Sequence, residues 1–382
     1  MQVTEHSPYG SVPASFAHDP RGTTGDPRPV TFWLLICCAL LFAMVVVGGV
    51  TRLTHSGLSI TEWQPIIGTL PPVSDAAWQD AFAKYQATPE YRQVNRGMSL
   101  DAFKGIFWWE YVHRLLGRVI GAAFLLPYLW FLARRRIPHG YAGRLFGIFV
   151  LGGLQGALGW YMVQSGLVDD PRVSQFRLTA HLALAFAIFA AMLWVALSLR
   201  FPLREPGSAP SLRNVRRLAQ GVLALVVLMV LSGGLVAGIR AGFAYNTFPL
   251  MNGRLVPPEI LLLEPAWKNF FWNMATVQFD HRLLAAALAV AVPWLCWKLS
   301  TTASVPHRAA AGARWLLAML IVQIAIGIAT LLLVVPLPLA ALHQAGALAV
   351  FAFGLNVAHA LRVPSARLAL PAAKGDDSRF RF

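Results

Sequence analysis

"EYVHRLLGR" (110–118) and "QFDHRLLAA" (278–286) are two versions of one arrangement. Each opens a long apolar run with a His-Arg-Leu-Leu tetrad, preceded three residues earlier by Glu110 in one copy and Gln278 in the other. Ionisable groups inside lipid are costly and are usually retained for function. Finding the same pair twice therefore points to an internal duplication that carries chemistry.

The two runs belong to a set of eight, at about 31–50, 108–133, 145–163, 176–199, 217–238, 271–297, 314–335 and 338–361. Each is about 20 residues long, enough to cross a hydrocarbon core of about 30 Å as a helix. Of the 382 residues, 57% are apolar and 13% charged, against about 25% charged in a soluble domain. The fold class is an all-α polytopic membrane protein.

With a cytoplasmic N-terminus, segments 1–30, 134–144, 200–217, 298–314 and 362–382 lie inside. They hold 19 of the 32 Lys and Arg and 6 of the 17 Asp and Glu, a net charge of +13 against +2 outside. That asymmetry is the positive-inside signature. It accounts for the overall +15 and argues against a nucleic-acid partner, because the basic residues are scattered along membrane borders. The first 30 residues are polar and Pro/Gly-rich with Glu5, Asp19 and Asp26, unlike a secretory signal or a mitochondrial presequence. The expected location is a bacterial inner membrane with both termini cytoplasmic. Cys37, Cys38 and Cys296 all fall within spans, where they serve as small buried hydrophobes.

Internal comparison extends the duplication to the whole chain. "GGVTRLTHSGLSITEW" (48–63) matches "GGLVAGIRAGFAYNTF" (233–248) at an offset of 185. His113 falls on His281, Gln155 on Gln323 and Gly159 on Gly327 at an offset of 168, and His181 falls near His343 at 162. The expected architecture is two tandem, pseudo-symmetric four-helix bundles, residues 31–199 and 217–361, joined by an inner linker at 200–216. Residues 1–30 and 362–382 are cytoplasmic tails. The outer loop 51–107 elaborates the first unit. Within it Ser74 caps a short helix whose Ala77, Trp78, Ala81, Phe82 and Tyr85 share one face, forming a lid.

His113, His181, His281 and His343 each lie one to three turns from the outer end of spans 2, 4, 6 and 8, in one outer-leaflet layer. One such histidine is as readily an interhelical hydrogen bond as a ligand, but four at equivalent places are different. Imidazoles on facing helices supply both axial nitrogens of a haem iron, pairing His113 with His181 and His281 with His343, whereas zinc usually recruits Cys or carboxylate as well. Small residues (Gly117, Gly121, Ala122, Ala123; Ala285, Ala286, Ala287) leave room for a macrocycle, or serve ordinary close helix packing. Arg114 and Arg282 either hold haem propionates or snorkel to lipid headgroups. Glu110 shares a helix face with His113. It is either a carboxylate paired with a nearby Arg or a proton-exchanging group that Gln278 cannot replace.

These residues resemble the heme A synthase family over about 30–362. The resemblance rests on the repeat, the four histidines, "EYVHR" and the outer-loop stretch "GLSITEWQPIIGTLPP" (57–72). That stretch is similar to the type 2 branch of proteobacteria and mitochondria, as is the lack of outer-loop cysteine pairs. The resemblance implies oxidation of the C8 methyl of heme O to a formyl group, giving heme A, by two successive hydroxylations and loss of water. It implies that His113 and His181 face the substrate haem with Glu110 as the essential acid, and that His281 and His343 ligate a resident haem b. Heme O synthase, cytochrome c oxidase assembly factors and an electron donor are the implied partners, within membrane lipid and compatible with a homo-oligomer. Rival readings are a di-haem electron carrier, which usually places haems near both membrane faces, and a haem transport or delivery protein, which needs no Glu110 asymmetry.

Overall fold

The computed structural model describes residues 26–63, 67–168, 171, 173–202 and 212–362. Most of the two terminal tails and of the inner linker, with His6 and His18, lies outside the described residues. Eleven α-helices are described: α1 (Arg28–Leu53), α2 (Asp75–Gln86), α3 (Pro89–Gln93), α4 (Leu100–Ala133), α5 (Ala142–Gly166), α6 (Gln175–Arg200), α7 (Leu212–Gly238), α8 (Asn269–Trp272), α9 (Met274–Thr301), α10 (His307–Leu332) and α11 (Leu337–Ala360). All but α2, α3 and α8 are long and apolar enough to cross a membrane. Among the described residues the one departure from helix and loop is an isolated bridge between Met251 and Arg254. Helices satisfy every backbone group within the segment, which lipid demands.

The expected spans recur with shifted ends. α4 starts at Leu100, eight residues before the expected 108, because Ser99 caps it by accepting from the Ala102 N–H at 3.2 Å. α10 starts at His307 rather than 314, since Arg308 and Arg314 hide its first two turns from a hydropathy reading. It stops before 335, where Val334 and Val335 both take positive φ ahead of Pro336.

Neighbour relations position the site. α1 packs on both α4 and α6, and α5 packs on the same two, so α4 and α6 occupy opposite corners of a four-helix ring. α7 and α10 stand in the same relation to α9 and α11. α6 meets α7, α1 meets α11, and α6 meets α11. Two further contacts join residues exactly one repeat offset apart: Arg52 donates to the Ala237 carbonyl, and Arg240 lies 3.1 Å from His55. Cys37 and Cys38 are buried, and Cys296 is partly buried. Trp33 of α1 locks onto α4 by donating to the Ala123 carbonyl at 2.7 Å.

Helix α2 forms as its sequence dictates. Ser74 Oγ accepts from the Ala77 N–H at 3.2 Å, and Trp78, Phe82 and Tyr85 are buried against Phe103, Phe107 and Tyr111 on the raised end of α4. Glu90, in α3 beside this cluster, is also buried. Burial first, then the nearby Glu110 carboxylate, raises its pKa to about 7, with Arg240 opposing. A carboxyl whose pKa is raised in the folded state loses stabilisation as pH climbs from its ordinary value, about 4.5, through that raised value. The lid is therefore expected to loosen between about pH 4.5 and 7. Hydrogen exchange of 75–99, corrected for intrinsic rates, should show weaker protection at the upper end, and Glu90→Gln should flatten the dependence. Equal slopes in both proteins would assign the change to another group.

Candidate functional site

Glu110 is 2% exposed, and both its oxygens are used as acceptors. Oε2 accepts from the Ser59 hydroxyl at 2.8 Å and the Ile60 N–H at 2.7 Å. Oε1 accepts from Arg114 Nε at 3.0 Å and from a second Arg114 nitrogen at 2.5 Å. Arg114 continues to the carbonyls of Ile60 (2.7 Å) and Glu62 (3.0 Å), clamping the loop after α1 against α4. Arg114 is the arginine that pairs with Glu110.

The second half repeats the clamp with altered polarity. Gln278, 3% exposed, donates to the Ala241 carbonyl at 2.8 Å and accepts from Arg282 at 3.2 Å. Arg282 donates to the Tyr245 carbonyl at 3.0 Å, one repeat offset from Ile60. The loop after α1 presents an O–H and an N–H, which with two Arg114 donors fill both oxygens of a carboxylate; the loop after α7 presents a carbonyl, which needs an amide donor. The Glu/Gln exchange is thus matched by each loop. Arg282 Nε is buried without a partner among the described residues.

His113 and His181 lie on α4 and α6, diagonal across the first ring, and within electrostatic range of one another. His281 and His343 occupy the same corners of the second ring, on α9 and α11, and likewise interact electrostatically. All four are partly buried. Each meets a glycine near the C-terminal end of a neighbouring helix. A Cβ at Gly48 would lie 3.2 Å from His113 Nε2, and one at Gly159 would lie 3.2 Å from His181 Cε1. One at Gly233 would lie 3.5 Å from His281 Cε1, and one at Gly327 only 2.8 Å from His343 Cε1. Because those glycines all end helices that run the same way, the four imidazoles share one end of the bundle.

Second-layer groups repeat as well. Gln155 donates to the His181 carbonyl at 3.1 Å and Gln323 to the His343 carbonyl at 2.8 Å. The Oε1 atoms of both glutamines and His181 Nδ1 are buried without partners among the described residues. Ser232 Oγ lies 3.1 Å from His281 Nδ1, leaving Nε2 as the ring nitrogen for a metal.

This arrangement fits haem and not a bare ion. Among the described residues there is no group of three or more His, Cys, Asp or Glu that could hold a metal. Two imidazoles suffice where a macrocycle supplies the other ligands. The glycine cradles and orphaned polar atoms are where a ring and its substituents would pack.

One asymmetry was not drawn from the sequence. α5 carries Gly152, Gly153 and Gly156 where the aligned positions of α10 are Leu320, Ile321 and Ile324. In the first half a recess of about 500 Å³ opens there, lined by Trp63, Gly153, Gly156, Ala157 and Trp160. The 168-residue offset already contained this signal.

Together these features define a multi-pass helical membrane protein with two histidine pairs, each spanning a four-helix ring. The chain belongs to the COX15-CtaA family, described as cytochrome oxidase assembly protein, which it matches over residues 31–355. It is 60% identical over 335 residues to a heme A synthase of Nitrosospira multiformis, covering 88% of this chain and 94% of the relative. A heme A synthase of Nitrosomonas eutropha is 54% identical over 339 residues (88% and 95%), and one of Rhodospirillum centenum 48% over 354 (93% and 94%).

Proposed function

We propose that this chain oxidises the C8 methyl of heme O to the formyl group of heme A, with the first unit holding the substrate and the second a resident haem b. The observation that carries this reading is the repeated histidine pair with its glycine cradles, coupled to a carboxylate in one half only. Family membership and the heme A synthase relatives support the activity.

Two units, 31–199 and 217–361, are the proposed organisation, joined by 200–216 with outer loop 51–107 on the first. Contacts of Arg52 with Ala237 and of His55 with Arg240 support it, since a residue meets its own counterpart where a two-fold axis passes. The proposed orientation puts the tails 1–30 and 362–382 in the cytoplasm of a bacterium and the histidines toward the periplasm. A di-haem carrier spanning the bilayer is disfavoured because the imidazoles share one end.

Haem, when bound, supplies the redox chemistry that no side chain here offers. His281 and His343 hold haem b, and His113 and His181 hold and orient the substrate haem across α4 and α6. Gly152, Gly153 and Gly156 leave the first half roomier, which suits the partner that must enter and leave. Glu110, with four donors on its two oxygens, acts as proton acceptor and charge stabiliser beside the substrate edge. Arg114 fixes that carboxylate, and Arg282 Nε offers a donor to a haem carboxylate in the second half. The oxidation requires an external oxidant, with a separate donor supplying two electrons per hydroxylation where that oxidant is dioxygen, and heme O comes from heme O synthase.

Co-expression with heme O synthase and mass analysis of the extracted haems tests the proposal. Haem b together with heme A or a hydroxylated intermediate is the expected result; haem b alone overturns it.

A further inference from the structure

At the end of the bundle opposite the four histidines, α6, α10 and α11 close around a fifth imidazole. His359 has no exposed surface. Its Nδ1 faces Arg308 at 2.8 Å and Arg362 at 2.9 Å. Guanidinium groups only donate, so Nδ1 carries the lone pair and Nε2 carries the hydrogen, given to Ser198 Oγ at 3.0 Å. One lone pair is shared by two cations. Trp194 closes the ring edge-on at 4.8 Å.

The cations gather further around Phe201. The Arg308 guanidinium sits 4.2 Å from the Phe201 ring centroid and that of Arg200 5.2 Å. Arg362 donates to the Phe201 carbonyl at 2.6 Å and to that of His359 at 2.9 Å, and Arg308 to Asn356 Oδ1 at 3.0 Å. None of the three arginines joins an ion pair among the described residues. Asp26, at the same end of the bundle, is taken by Arg28.

Arg308 and Arg362 are partly buried and Arg200 lies exposed beside them; such clustered like charges are mutually unfavourable unless a counter-charge joins them. A carboxylate at 359 would have cancelled the arginines internally. A neutral imidazole instead aims two of them and leaves their charge for something external. Arginine forks match phosphoryl oxygens, and basic pockets between helices at this border take anionic headgroups. We propose that Arg308 and Arg362, oriented by His359, with Arg200 beside them over Phe201, form a binding site for a phosphate group, supplied by an anionic phospholipid headgroup or by free phosphate.

Native mass spectrometry of the full chain in detergent tests this, titrating phosphatidylglycerol, phosphatidylcholine and inorganic phosphate separately. Wild type is expected to take one phosphatidylglycerol in preference to phosphatidylcholine. The Arg308→Gln/Arg362→Gln double variant should bind it about tenfold or more weakly, since charge-assisted bonds are lost. Binding of inorganic phosphate that competes with the lipid and is lost in the same variant also supports the site and names free phosphate as a source. Equal binding of the two lipids by wild type, equal anionic-lipid binding by wild type and variant, or no binding of any probe overturns the proposal. Should the double variant fail to fold, Arg308→Lys keeps the charge and loses the fork. Weakened binding there supports the site, and unchanged affinity overturns it.

Discussion

Glu110→Gln is expected to stop formation of the aldehyde while leaving haem in the protein. Its hydrogen bonds go to Arg114 of its own helix and to the Ser59–Ile60 loop, not to an imidazole. An amide of the same shape keeps α4 in place and leaves the histidines where they are. It presents an NH₂ where four donors already converge, so one buried donor is left facing another at a cost of about 1–3 kcal/mol. That much is survivable for an eight-span protein and should appear as a modest loss of thermal stability. The loss of a positioned proton acceptor is larger in effect, about 10²–10⁴ in rate. Extracted haems should therefore show haem b and heme O at near wild-type amounts and little or no heme A. Wild-type heme A would reduce Glu110 to a structural clamp. Restoring a carboxylate with Glu110→Asp should recover part of the activity, because chemistry returns and only reach is lost.

The contrast between Glu110 and Gln278 was legible from the sequence, but its cause was not. Periodicity and the 168-residue offset place both residues three before a histidine. What each faces is decided by loops some fifty and thirty-seven residues away, and no local pattern states that Ser59 and Ile60 offer donors where Ala241 offers a carbonyl. The eight spans were legible because lipid imposes length and apolarity on each one. Their ends were not, because capping by Ser99 and the polar first turns of α10 lie outside what hydropathy measures. The lid was readable down to its buried face, since Ser74 and the Trp78, Phe82, Tyr85 spacing are local signals. The glycine cradles stood in the aligned Gly pairs 48–49 and 233–234, and reading them as room for imidazole needed a partner helix. The Arg308–His359–Arg362 cluster had no sequence signal at all. Its members come from the start of α10 and the end of α11, with Ser198 of α6 meeting the imidazole from the first half, and each alone reads as a border residue.

Removing the imidazole at 343, or crowding it, should empty the second half of haem b. His343→Ala deletes one of the two imidazoles proposed to hold haem b, and His281→Ala deletes the other. Loss of haem b from the purified protein, read by its absorbance spectrum after reduction, is expected for both. Deletion alone leaves open whether the residue is a ligand or a packing element, so the glycine beside it makes the sharper test. At Gly327 a Cβ would come within 2.8 Å of His343 Cε1, closer than real contacts allow, so the ring must rotate or α10 must retreat. Gly327→Val therefore displaces the ligand without touching its chemistry. Disturbing the groups that orient a metal ligand typically costs about 10–100-fold in metal affinity, so haem b content is expected to fall. Gly153→Ala is the control on α5, since nothing lies within 4 Å of its added Cβ. It should leave haem b content unchanged. If Gly327→Val and His343→Ala both retain haem b, the second ring holds no haem through His343, and the division of labour between the halves fails with it. If Gly327→Val loses haem b while the Gly153→Ala control keeps it, a ligand role for His343 is supported through geometry alone. Heme O would then still occupy the first ring, where His113 and His181 keep their own cradles. Haem content and haem identity together thus separate the two sites in one set of extracts.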